Sequence, residues 1–312
     1  MKTLLLIDGN AIMHRAFYAL PPMNASDGTP TNAVYGFFTM LQKVTSDFQP
    51  EYVVVCFDTP VKTFRKTLFA DYQAHRPPSK DEFIKQIPII QNMVDESGIT
   101  RMEKPGFEAD DVIGTLSKRF GSQDVRVLIL TGDRDIMQLV DEHIYVITPK
   151  VGVSSIVLYN PEAVKAKMLV PPAQIPDLKA LAGDPSDNYK GVKGIGPKTA
   201  FKLVEQFGTV EHMFEQTDSL KDEKLRNTLI EHKDEILLMK KLATIVIDVD
   251  IDLTIEQCAF NGFHKDVEKS IEKYNLYALR SRLLNLPRKK EEPKPVVKAA
   301  PPDTDENQPG LF

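Results

Sequence analysis

Nine acidic residues fall where they could share one piece of chemistry. Asp8, Asp58 and the pair Asp133 and Asp135 each follow a short apolar run, at residues 3–7, 53–57 and Val125–Leu130. Glu108, Asp110 and Asp111 come together after Pro105-Gly106, and Asp184 and Asp187 sit in a Gly-Asp-Pro-Ser-Asp-Asn segment. Carboxylates placed close together cannot all stay ionised unless cations lie among them. Oxygen-only ligands favour Mg²⁺ or Mn²⁺ over zinc, which prefers His and Cys. Two such ions about 3.5–4 Å apart can hold a phosphodiester, generate hydroxide and stabilise the leaving oxygen. Each cluster alone has a plain structural reading: acids in a first helical turn suit the macrodipole, and Asp133 could be an N-cap. Their arrival at one predicted edge is what favours a metal site. No P-loop and no Ser-His-Asp order stands out, so nucleoside-triphosphate and acyl-transfer chemistry have no local support.

A second motif runs Gly191-Val192-Lys193-Gly194-Ile195-Gly196-Pro197-Lys198-Thr199-Ala200. Gly194 and Gly196 allow a tight turn, and Pro197 suits the first position of a helix. Backbone N–H groups at such a helix start make a phosphate site. A turn between packed helices would explain the glycines but not Lys193 and Lys198. The pattern is a helix–hairpin–helix, which grips a DNA backbone without reading sequence. A third stretch, residues 60–98, interleaves Lys62, Arg65, Lys66, His75, Arg76, Lys80 and Lys85 with Phe64, Phe69, Tyr72 and Phe83. It reads either as a solvated amphipathic helix pair or as a basic arch over the metal site. Its position after the Asp58 strand favours the arch. Ser79-Lys80-Asp81-Glu82 predicts a capping box at a helix start there.

The elements that must carry these residues are those of a parallel sheet. Strands are expected at 3–7, 52–57, Val125–Leu130 and 144–147, alternating with helical patterns. In such sheets ligands bind beyond the carboxyl ends of the strands. A helix over Asn32–Phe48 has Thr31 as N-cap and Phe37, Phe38, Leu41 and Val44 as its apolar stripe. Helical spacing at 108–111 predicts Glu108 and Asp111 on neighbouring faces, with Asp110 turned away unless the helix has only just begun. From residue 175 strand patterns almost vanish, and helices are expected near Ile175–Ala182, 198–206, 221–247 and 264–284. The prolines at 293, 295, 301, 302 and 309, with few large apolar residues, predict a disordered tail from 287.

The 312 residues suit two domains, and 42% hydrophobic with 27% charged residues is an ordinary globular composition. A net charge of −5 argues weakly against a nucleic-acid partner, because an acidic metal cluster can coexist with basic surface elsewhere. Cys56 and Cys258 match no ligand spacing and suit a reducing compartment. The first apolar stretch stops at Asp8, too short for a signal peptide, and no run reaches membrane-spanning length. A cytoplasmic protein with no membrane association is expected.

Taken together, the motifs resemble one family closely: the 5′ nuclease (5′–3′ exonuclease and flap endonuclease) domain of bacterial DNA polymerase I and its free-standing relatives. The resemblance runs from Met1 to about Pro287. It is carried by Leu6-Ile7-Asp8-Gly9-Asn10, the segment 27–36, Phe57-Asp58, Gly106-Phe107-Glu108-Ala109-Asp110-Asp111, Thr131-Gly132-Asp133-Arg134-Asp135, Gly183-Asp184-Pro185-Ser186-Asp187-Asn188 and the hairpin. It implies an α/β fold with a parallel-rich central sheet and helices on both faces (PIN/resolvase-like), over 1–174 with the arch at 60–98. An all-helical helix–hairpin–helix domain would follow at 175–286, then the tail at 287–312. It implies a monomeric enzyme using two or more Mg²⁺, with Mn²⁺ as substitute, that removes 5′ flaps and RNA primers at DNA junctions. Asp8, Asp58, Glu108 and Asp110 match ligands of the first ion; Asp111, Asp133, Asp135, Asp184 and Asp187 match those around the second, some through water. The hairpin (Gly191, Lys193, Gly194, Gly196, Lys198, Thr199) matches the element on downstream duplex, often with K⁺ on its carbonyls. Arg76 matches the contact to the scissile phosphate, and His14 falls where relatives place an aromatic ring that stacks on the terminal base pair. Gln73 replaces a lysine found in many relatives, and Lys66 or Lys80 is expected to supply the missing charge. The last residues, 308–312, resemble a sliding-clamp peptide anchored by Gln308, Leu311 and Phe312, against the plain reading of an arbitrary linker end. A non-catalytic junction binder using the hairpin alone is the competing reading, and a single-strand ribonuclease of the small nuclease fold a weaker one.

Overall fold

The structure is a computed structural model that describes residues 1–150 and 156–284. In chain order the first part contains β1 (Lys2–Asp8), α1 (Gly9–Ala19), α2 (Asn32–Phe48), β2 (Tyr52–Cys56), α3 (Phe64–Leu68), α4 (Asp81–Ile84), α5 (Ile87–Glu96) and β3 (Thr100–Met102). Then come α6 (Ala109–Phe120), β4 (Val125–Leu130), a 3₁₀ turn at Asp135–Leu139, β5 (Ile144–Pro149), β6 (Ile156–Tyr159) and α7 (Pro161–Met168). The remainder is α8 (Ile175–Ala182), a two-residue ladder β7 (Gly183–Asp184) and β8 (Tyr189–Lys190), then α9 (Pro197–Phe207), α10 (Val210–Glu215), α11 (Glu223–Glu231), α12 (Lys233–Ala243), α13 (Glu268–Lys273) and α14 (Tyr277–Leu284).

The six-stranded sheet has the order β3-β2-β1-β4-β5-β6. Its first five strands run parallel, and β6 is antiparallel to β5. The sheet is therefore mixed, with β3 and β6 as two strands the apolar pattern did not reveal. Both faces are covered. Leu4, Leu6, Val54, Val127 and Ile129 pack with α6 on one side; Leu5, Ile7, Val53, Val55, Leu128 and Leu130 pack with α2 and α5 on the other. Double coverage explains why β1 and β4 read as continuous apolar runs. The chain builds outward from β1 in both directions, so the strand order reverses between β1 and β4, and the crevice beyond their carboxyl ends is the expected ligand position. Asp8 ends β1 at that place.

The stripe Phe37, Phe38, Leu41 and Val44 of α2 is fully buried. Thr31 is its N-cap residue but makes no side-chain cap bond. The cap comes instead from Gln86, itself inaccessible, whose Oε1 accepts from the N–H groups of Ala33 (2.7 Å) and Val34 (3.2 Å). The arch is less helical than expected: α3 and α4 are single turns, and α4 starts at Asp81 after Lys80 with no side-chain cap, not at a Ser79 capping box.

The residues expected as one helical domain split in their packing. Helices α8, α9, α10 and α12 extend the core on the α6 side, while Val267, Ile271, Leu276, Leu279 and Leu283 join the core on the α2 side. Phe260 N–H donates to Glu51 O at 2.8 Å and His264 N–H to Ser97 O at 3.0 Å, lashing the returning chain to the sheet region. The tail, with its clamp-like peptide at 308–312, lies outside the described residues.

Candidate metal centre and nucleic-acid interface

The acids gather at the β1–β4 edge in two adjoining groups, where one pocket was expected. In the proximal group, Asp8 is buried and already committed on both oxygens: Oδ1 caps α1 by accepting from Ala11 N–H (2.9 Å), and Oδ2 accepts from the Thr131 hydroxyl (2.7 Å). Burial pushes its carboxyl up to about 7, with Asp133 and Asp58 adding charge repulsion. Asp58 stands at the solvent side, oriented by Ala109 N–H on its Oδ1 (2.7 Å) and by Asn10 on its own N–H (3.0 Å). Glu108 is likewise pushed up to about 7 by burial; its carboxyl receives the hydroxyls of Thr63 and Tyr72, each at 3.2 Å.

Asp110 and Asp111 exchange the roles that a continuous helix would give them, as the spacing allowed for a helix that has only just begun. Because α6 starts only at Ala109, Asp110 lies in the first turn and faces the group: burial, then the charges of Asp133, Asp8, Asp58 and Glu108, hold its carboxyl well above the ordinary range. Asp111 is the residue turned away. It is wholly buried, and Arg65 grips it with two bonds, Nη1 to Oδ2 at 2.7 Å and Nη2 to Oδ1 at 2.8 Å. Val246 N–H (2.9 Å) and Glu108 N–H (3.1 Å) take further lone pairs. Asp111 therefore braces the site, and no lone pair is left that faces an ion. Arg65, expected on the arch surface, is the buried half of that brace, and its Nε donates to Leu242 O at 2.8 Å.

The distal group is tighter. Asp135, Asp184 and Asp187 offer ligand oxygens that all lie within 4.8 Å of one another, the one set of at least three candidates that meets this spacing among the described residues. Asp133 stands between the groups. It caps no helix; its Oδ1 accepts from Asp135 N–H (2.8 Å) in a local turn, while its charge is felt at Asp8, Asp110 and Asp135. Lys179, unremarked in the sequence, reaches in from the last turn of α8 to bond both Asp135 and Asp184. Burial alone would raise Asp184, but the Lys179 charge and bonds from Ser186 leave it below its ordinary value. Asp135 has no such surplus, and burial carries it to about 7. Asp187 is raised by burial against a hydrogen bond from Gln73. Tyr72 joins the groups, its hydroxyl 3.2 Å from Glu108 Oε2 and 3.4 Å from Asp187 Oδ2.

The arch docks on the distal group. Gln73 Nε2 (2.8 Å) and Arg76 Nη2 (3.0 Å) both donate to Asp187 Oδ1, and half of the Arg76 side chain remains exposed. Arg76 also lowers His14, after burial, and His14 forms a ring cluster with Tyr18 (4.7 Å) and Phe83 (5.7 Å). Lys80 belongs to that cluster, 5.5 Å over the Tyr18 ring, and not to the acids. Among the described residues no ion pair joins Lys66 or Lys80 to a carboxylate.

The hairpin follows directly from the distal acids. Gly183 (φ +83°) and Gly191 pack so closely that a Cβ on Gly183 would sit 2.2 Å from the Gly191 nitrogen and one on Gly191 2.2 Å from the Ala182 carbonyl oxygen. Val192 and Ile195 are buried anchors, and Gly194 turns the chain at φ +91°. Lys193, Gly194, Gly196 and Lys198 are exposed, with nothing within 4 Å of where a Cβ would project at either glycine. The start of α9 is thus bare enough for a phosphate to approach.

Residues 3–169 match the family model of the 5′–3′ exonuclease N-terminal resolvase-like domain, and residues 170–266 match that of the 5′–3′ exonuclease C-terminal SAM fold. The chain belongs to the 5′–3′ exonuclease family. A 5′–3′ exonuclease of Aquifex aeolicus is 38% identical over 283 residues, covering 91% of this chain and 94% of that protein. DNA polymerase I of Bacillus caldotenax is 41% identical over 300 residues, covering 96% of this chain but 34% of the polymerase. The chain thus spans about a third of the length of such polymerase relatives. Among solved structures, T5 5′-exonuclease with bound divalent metal ions (zinc) superposes with a TM-score of 0.65 at 18% identity, covering 78% of this chain and 90% of that one. The catalytic core of Rad2 in complex with DNA substrate gives 0.59 at 16% identity, covering 92% of each. These two likenesses establish the exonuclease-family fold.

Within this member, the donor set is all carboxylate, and it fits a hard divalent cation. The phenol of Tyr189, across the ladder from Asp184, is buried and has no hydrogen-bond partner, which also fits a group completed by something further. Sequence reasoning missed Lys179, Tyr189 and the bridging role of Tyr72. Only Lys179 left a usable signal: a lone cation in the otherwise buried α8 pattern of Ile175, Leu178, Ala180 and Leu181, five residues before an acid.

Proposed function

We propose that this chain is a structure-specific 5′ nuclease that hydrolyses DNA phosphodiesters at 5′ flaps and junctions, and RNA primers in the same setting, with two or more Mg²⁺ or Mn²⁺ ions. The observation that carries this reading is the pairing of the Asp135–Asp184–Asp187 triangle with the proximal acids under a guanidinium from the arch. Asp8, Asp58, Glu108 and Asp110 are assigned to the proximal ions, and Asp135, Asp184 and Asp187 to the distal ones, with Asp133 between them. The ions, when bound, supply an activated water and neutralise charge on the phosphate being cut.

The chain's own residues do the rest. Arg76, half exposed beside Asp187, binds and orients the scissile phosphate. Gln73 holds Asp187 in place, and Tyr72 fixes the two acid groups relative to one another. His14 and its ring partners offer a stacking platform for the terminal base pair. Gly191, Lys193, Gly194, Gly196, Lys198 and Thr199 hold duplex backbone, and K⁺ on the hairpin carbonyls belongs to the same reading. The division at 174 falls within the site, since Asp184 and Asp187 come from the second part and complete the acids of the first. No described helix is long and apolar enough to cross a membrane; action on DNA in the cytoplasm belongs to the same proposal. The decisive experiment is incubation with an end-labelled 5′-flap duplex: release of the flap with Mg²⁺ and none with chelator is expected. Binding of the duplex without cutting would convert the reading to a junction binder.

A further inference from the structure

The two acid groups differ in one respect that the proposed chemistry does not use. Among the described residues, Asp8, Asp58, Asp110 and Asp133 have no ion-pair partner, and Glu108 meets only the Arg65 guanidinium, at 3.4 Å, that Asp111 already grips, whereas Lys179 bonds two of the three distal carboxylates. The geometry points to Lys179 as a resident cation of the distal group, which a divalent ion must displace in order to bind there. The inference rests on the reading of these carboxylates as ion holders and concerns the order and strength with which they fill.

Three carboxylates whose oxygens approach within 4.8 Å repel strongly in a buried setting, so a metal-free fold needs a positive charge there. Lys179 supplies it from a fixed stem. Its neighbours Leu178, Ala180 and Leu181 are buried, and it lies in the last turn of α8, where a cation also meets the negative helix end. The ammonium bonds Oδ1 of Asp135 and Oδ2 of Asp184, so it stands among the oxygens an ion would use. Two cations cannot occupy that triangle together without the repulsion each was relieving. Tyr189 completes the picture: its buried, unpartnered hydroxyl lies close enough for Asp184, Asp135 and Asp187 to perturb it, and it can donate to a carboxylate oxygen that the departing ammonium releases. The proximal group, whose one neighbouring cation is fixed on Asp111 and reaches only Glu108, fills first, and the distal group binds more weakly by the factor needed to evict the lysine.

The test is Mn²⁺ binding to the full chain without DNA, followed by titration calorimetry and by the electron paramagnetic signal of free Mn²⁺. The unsubstituted protein is expected to show a tight and a weak class of site. Lys179→Met should tighten the weak class by about tenfold or more, because the competing state is removed, and leave the tight class unchanged. Lys179→Arg, which keeps the charge, should leave the weak class weak. A weak class that is unchanged or loosened in Lys179→Met overturns the displacement while leaving the metal reading intact. Absence of Mn²⁺ binding in every form overturns both. Should Lys179→Met not fold, the ¹⁵N ammonium resonance lost on Lys179→Arg substitution decides the matter: it must shift as the weak class fills with Mg²⁺, and indifference refutes the inference.

Discussion

The proximal and distal acid groups sit side by side, yet they meet the same electrostatic problem differently. The proximal acids are held apart and mostly buried, with Asp8 and Glu108 near 7 and Asp110 raised well above its ordinary range. The distal acids crowd into a triangle and take a lysine as counter-ion, which leaves Asp184 below its ordinary range. Raised carboxyls answer the repulsion in the first group, whereas the second combines raised carboxyls at Asp135 and Asp187 with an ammonium. A cation entering the first competes with protons, whereas a cation entering the second competes with a tethered charge.

The severest way to break this comparison is to delete a distal ligand. Asp187→Ala should slow single-turnover flap cutting by at least about a hundredfold while flap affinity, read by anisotropy, changes little; parallel losses would reassign Asp187 to binding. Next comes the brace behind the proximal group. Arg65→Ala leaves Asp111 buried without its partner and should cost about 3–5 kcal/mol in denaturant unfolding, far more than any distal single substitution. The pH dependence sharpens the contrast further. Burial raises Asp8 and Glu108 to about 7 in the fold, so their protonated forms favour the folded state. That stability is complete below the unfolded carboxylate value near about 4 and is lost as pH rises through about 7. Metal-free protein should thus melt lower at pH 8 than at pH 5.5, and tight-class Mn²⁺ affinity should rise over the same interval. The smallest effects belong to the arch lysines. Since neither touches the acids, Lys66→Ala and Lys80→Ala should each alter the single-turnover rate by at most about threefold, exposed charges being weakly coupled. A larger loss would restore either one as the substitute for the charge missing at Gln73.

The central strands were legible because burial on both faces leaves nothing but apolar residues between turn signals, as in Leu4–Ile7 and Val127–Leu130. The strand-end acids were legible for the same reason, since each abruptly ends such a run. The edge strands were not: Thr100–Met102 is three residues of ordinary composition that become a strand only by pairing with Val54–Cys56. The exchange between Asp110 and Asp111 shows how a one-residue uncertainty in a helix start, 100° of rotation, decides which carboxylate faces the site. The cap of α2 was unreadable locally because it arrives from Gln86, more than fifty residues away. Lys179 was half legible: it stands out as a lone cation in the apolar α8 pattern, but that helix does not announce that the ammonium will end beside acids from two other segments.

Arg65 has a mechanical consequence. Its guanidinium is pinned to α6 through Asp111 and to the end of α12 through Leu242 and the following Thr244, while its backbone belongs to α3 at the foot of the arch. That foot is riveted to two parts of the molecule at once and cannot lift as a lever. On the proposed reading, a single strand passing beneath finds its room farther along, where the chain beyond Phe69 is held by gentler bonds, Gln73 donating to Asp187 and Asn188 to the Asp71 carbonyl.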